Sequence, residues 1–79
     1  MELFHRLSEP ESASARRLVL ALALEARVSF RNVAFDAHRD ALAALGGAIT
    51  PALWDGARLH VGLDAVRAAL ASAASPADG

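Results

Sequence analysis

Apolar side chains change their period repeatedly along the chain, and each change marks a new element. Residues 2–7, Glu-Leu-Phe-His-Arg-Leu, read as a first strand stopped by Ser8-Glu9-Pro10, because a proline disfavours helix for the residue before it. From Ser12 the period becomes helical: Ala15, Leu18, Val19, Leu22 and Ala26 share one stripe, widened by Leu20 and Leu24. Ser12 is a good N-cap for this helix, Glu9 and Glu11 suit its positive end, and Arg27 falls near its expected C-terminus. Residues 28–35 are β-rich, with Val28, Phe30, Val33 and Phe35 as core candidates, and Asp36 can cap a short helix through Leu45. Gly46-Gly47 ends that helix, and Asp55-Gly56 joins two short antiparallel strands, 52–54 and 58–61. Gly62 leads into a last helix with Leu63, Val66 and Leu70 on its apolar stripe. The order βαβαββα predicts an α/β domain over residues 1–74, a four-stranded mixed sheet with helices on both faces, and a flexible tail over 75–79.

Composition narrows what such a domain can do. At 79 residues the chain buries only about 60% of its unfolded surface, so stability is modest unless it dimerises. A net charge of -1 leaves no basic footprint for nucleic acid. The longest apolar run, Leu18 to Leu24, is too short to span a membrane, and residues 1–11 do not read as a signal peptide, so no membrane partner and a cytoplasmic location are expected. The chain has no cysteine, which excludes a disulfide scaffold and any thiol–disulfide cycle in its own residues. His5, His38 and His60 have no spacing that suggests a metal.

The element order, with Thr50-Pro51 directly before the third strand, resembles the thioredoxin fold, and the resemblance covers nearly the whole chain. Within that superfamily the motifs are similar to those of glutaredoxins. Ser-Glu-Pro-Glu-Ser-Ala-Ser-Ala (8–15) parallels Ser-x-Pro-x-Cys-Pro-x-Cys, Ile49-Thr50-Pro51 parallels Thr-Val-Pro, and residues 60–70, His-Val-Gly-Leu-Asp-Ala-Val-Arg-Ala-Ala-Leu, parallel the Gly-Gly-x-Asp segment opening the last helix. The resemblance implies a cis Pro51 facing the site. It departs at the chemistry, since Ser12 stands for the nucleophilic cysteine and Ala15 for the resolving one. A serine hydroxyl cannot form a mixed disulfide. The chain also resembles the first domain of glutathione S-transferases, where Ser12 and Arg16 parallel Ser-x-x-x-Arg and residues 50–56 parallel Val-Pro-Ala-Leu-x-Asp. In that family a serine donates a hydrogen bond to the glutathione sulfur and so favours the thiolate. Gly62-Leu63 replaces the Glu-Ser pair that holds the glutathione γ-glutamyl end there.

These resemblances imply a ligand groove formed by Ser12, Ser14, Arg16, Thr50, Pro51, Gly62 and Asp64, without a metal. Its expected occupant is a small thiol or peptide such as glutathione, bound as ligand rather than cofactor, or a protein partner. One alternative is a transferase-like enzyme with Ser12 as its catalytic residue, completed by another chain. The other is an interaction or homodimer module with an empty groove. Each residue also has a plain structural role open to it. Ser12 as a cap is worth about 1 kcal/mol over alanine, Arg16 and Arg17 can line a solvated face, and Asp64 suits a first helical turn. Trp54 can pack in the core or line a groove.

Overall fold

The computed structural model describes residues 1–75 and is an α/β fold with the order β1 (Glu2–His5), α1 (Pro10–Ala21), β2 (Ser29–Asn32), α2 (Asp36–Ala44), β3 (Ala52–Trp54), β4 (Leu59–Val61) and α3 (Leu63–Ala74). The four strands form one mixed sheet ordered β2-β1-β3-β4. β1 pairs parallel with β2 and antiparallel with β3, and β3 pairs antiparallel with β4. Strand alternation sends Leu3 and Leu53 to one face, where they pack with Ala15 and Val19 of α1 and with Val66 and Leu70 of α3. Phe4 and Ala52 turn to the other face and meet Val33 and Leu42, beneath α2. The sheet is thus covered on both faces. From Pro76 on, the tail expected over 75–79 lies outside the described residues; Ser75 caps α3, its Oγ donating to the Ala71 carbonyl.

Several expected boundaries shift, each for a local reason. β1 ends at His5 rather than Leu7. α1 begins at Pro10, not after Ser12: Pro10 occupies the first turn, where its missing N–H costs nothing, and extended Glu9 is the cap residue. Ser12 is therefore inside the first turn and not the cap. The helix ends at Ala21, well before Arg27, although apolar residues continue. Ala23 turns into the left-handed region at φ 55°, its N–H donates to the Leu20 carbonyl, and the Leu24 N–H donates to that of Val19. This is a Schellman stop, and Leu24 is buried in the same cluster as Val19. Arg27 instead donates from Nη1 to the Ala73 carbonyl and ties this loop to α3.

β2 is shorter than expected and lies at the sheet edge, so Phe30 (40% exposed) and Phe35 (63%) are not core residues, whereas Val28 and Val33 are. Phe35, not Asp36, occupies the cap position of α2, and Asp36 is the first helical residue, paired with Arg39. β4 begins at Leu59, because Arg58 still belongs to the turn in which Asp55 Oδ1 accepts the N–H groups of Ala57 and Arg58.

Candidate functional site

The C-terminal ends of β1 and β2 and the N-terminal end of β3 meet at one end of the sheet, as the register of Phe4 against both Arg31 and Ala52 requires. The Thr50-Pro51 peptide there is cis. Ser12 is fully buried and Thr50 is 6% exposed. Glu9 joins them: its Oε1 accepts a hydrogen bond from Ser12 Oγ at 2.5 Å and another from Thr50 Oγ1 at 2.9 Å. Ser12 Oγ in turn accepts the Arg6 N–H at 3.1 Å. A hydroxyl has a single proton, so the bond to Glu9 uses the only donor Ser12 has. Glu9 makes no side-chain cap to α1; its carboxylate reaches across to Thr50, in the loop before β3, instead.

Beside this network Arg16 Nη1 lies 3.0 Å from His5 Nδ1 and 3.1 Å from the Arg6 carbonyl. A guanidinium only donates, so Nδ1 must be the acceptor and His5 is the neutral Nε2–H tautomer. Burial, then the electrostatic influence of the neighbouring Arg16 guanidinium and His38 ring, hold the His5 pKa below the ordinary histidine value. Arg16, expected to meet a ligand, is thus engaged within the chain.

Of the other expected residues, Gly62 meets this centre through Pro51, while Ser14 and Asp64 lie apart from it. The Gly62 N–H donates to the Pro51 carbonyl at 2.9 Å and is not free for a ligand. Gly62 serves instead as the cap residue of α3, with φ 91° and ψ 156°, a conformation that requires glycine. Asp64 is fully exposed and faces Arg67 at 3.5 Å. Ser14 accepts a hydrogen bond from Arg17 and lies with it, Leu18 and Arg67 along a shallow groove between α1 and α3. Ser12, Thr50 and Pro51 come together; Ser14 and Asp64 do not join them.

Two features escape a reading of the sequence. One is Glu9, the residue on which both hydroxyls converge. The other is an apolar rim at the same end of the sheet. Leu7 follows β1, Phe35 follows β2 and Ile49 precedes Thr50-Pro51, and they are 69%, 63% and 64% exposed. In the sequence Leu7 reads as a strand residue and Phe35 as a core candidate, because an apolar side chain just past a strand end looks like the strand's own continuation.

A cleft of about 430 Å3 opens at the opposite end of the sheet, lined among others by Met1, Arg27, Asp55, His60 and Ser72. There His60 Nε2 lies 2.7 Å from Asp55 Oδ2. The Asp55 carboxyl titrates well below the usual range because His60 and then the Arg58 and Ala57 N–H groups donate to it. No helix among the described residues is long and apolar enough to cross a membrane. Comparison with known proteins finds no matching family model, no matching curated protein and no matching solved structure.

Proposed function

We propose that the chain is a redox-inactive domain of the thioredoxin type, glutaredoxin-like in its motifs, that recognises an apolar segment of a protein partner at the Thr50-Pro51 end of its sheet. The thioredoxin-type reading is supported by the strand order β2-β1-β3-β4, helices on both faces and the cis Thr50-Pro51 peptide. Without a cysteine the chain cannot cycle a thiol and a disulfide in its own residues. The observation that carries the recognition reading is the exposure of Leu7, Phe35 and Ile49 around one end of the sheet, since large apolar side chains grouped at a rim favour a protein partner.

Glutathione and a Ser12-dependent transferase fit less well. Ser12 has no accessible surface and its proton is directed to Glu9, so it has none to offer a sulfur. The carboxylates of glutathione would also meet Glu9 and Glu11. Selection from a displayed random peptide library against the purified protein tests the proposal. It should recover apolar peptides, and the double variant Phe35→Ser/Ile49→Ser should bind them about tenfold more weakly or worse. Unchanged affinity of that variant contradicts the proposal. A mass that doubles with concentration in wild type but not in that variant assigns the rim to a second copy of this chain.

A further inference from the structure

We infer that the space between Ser12 and Thr50 is a carboxylate site that the chain fills with its own Glu9, closing this end of the sheet to acidic ligands. The site is built from two elements distant in sequence. Ser12 is fully buried, and because its oxygen already accepts the Arg6 N–H, its proton is aimed at Glu9. Thr50, 6% exposed, aims its hydroxyl proton at the same Oε1 from the loop just before β3. Two buried hydroxyl donors converging on one carboxylate oxygen form a receptor for a carboxylate whether or not it is covalently attached. Glu9 reaches it from the cap position of α1, where the shorter side chains of Ser, Thr, Asp or Asn ordinarily cap the first-turn N–H groups; Glu9 makes no such bond. The residue is used as an internal ligand rather than as a helix cap. Glu9 is therefore the residue that keeps other carboxylates out of the centre of this end of the domain. This inference concerns the Glu9 pocket alone and does not require a peptide partner.

Removing the side chain should leave a vacancy that a small free carboxylate can enter. Amide NMR titration of wild type, Glu9→Ala and Glu9→Gln with sodium acetate, against sodium chloride at matched ionic strength, reads this directly. In Glu9→Ala, acetate at concentrations on the order of 10 mM should give saturable shifts at Arg6, Ser12 and Thr50 and raise the melting temperature relative to chloride. Wild type and Glu9→Gln, which keeps an acceptor oxygen in place, should give neither response. Equal responses in all three proteins, or none in folded Glu9→Ala, overturn the inference. Should Glu9→Ala be unfolded in chloride, recovery of the folded spectrum in acetate alone is the expected result, and failure to recover in either salt overturns it.

Discussion

Ser12 has one proton to give and Glu9 receives it, while the Ser12 oxygen receives the Arg6 N–H. Ser12→Ala removes both bonds and strands the Arg6 donor, so it should cost about 1–3 kcal/mol in a urea unfolding curve; a change within error would show that the network is not structural. His5 sets a pH dependence. Its folded pKa lies below the ordinary 6.5, so as the pH falls through that value the unfolded chain takes up the proton first. The stabilising contribution is complete above the unfolded pKa, declines as the pH falls between the two values and levels off below the folded one. The urea midpoint should therefore drop between about pH 7.5 and pH 5, and more steeply in wild type than in His5→Gln. Equal slopes would contradict the neutral His5 assignment. At this scale the sequence showed Ser12 and Thr50-Pro51 through their motifs. It could not show Glu9, whose bond to Thr50 spans 41 positions, nor the use of Arg16 as a partner for His5.

Helix ends show how far a local pattern reaches. α2 stops where Gly46-Gly47 says it should: Gly46 takes a positive φ of 85° and the Gly47 N–H returns to the Leu42 carbonyl. α1 stops by the same hydrogen-bond pattern with Ala23 in the glycine position, and the apolar run through Leu24 conceals it. Leu24 is apolar because it folds back on Val19 after the helix has ended, not because the helix continues. Ala23→Gly should relieve the left-handed alanine and raise stability by about 0.5–1 kcal/mol, after the added freedom of the unfolded chain is subtracted. Gly62→Ala should do the reverse and cost about 1–3 kcal/mol, since φ 91° with ψ 156° is closed to other residues. Comparing the two variants by denaturant midpoint tests both assignments; a stabilising Gly62→Ala would refute the second.

Over the whole molecule, the alternation of Leu3 with Phe4 and of Ala52 with Leu53 divides two apolar clusters between the faces of the sheet. Helices on both faces of a four-stranded mixed sheet were readable in advance, because strand periodicity and helix stripes are local signals that sum to a layered fold; which strand residue turns to which face was not assigned. The position of β2 at the edge was not readable either. Edge placement leaves Phe30 half-exposed, although in the sequence it resembles a core residue as closely as Val33 does. The rim at the Thr50-Pro51 end and the cleft at the Arg27–His60 end lie at opposite ends of the sheet, and recognition is proposed at the rim. The measurement that decides between them is amide shift mapping of the protein with a selected apolar peptide. Saturable shifts grouped at Leu7, Phe35, Ile49 and Thr50 are predicted; shifts grouped at Arg27, Asp55, His60 and Ser72, with the rim silent, would contradict the account.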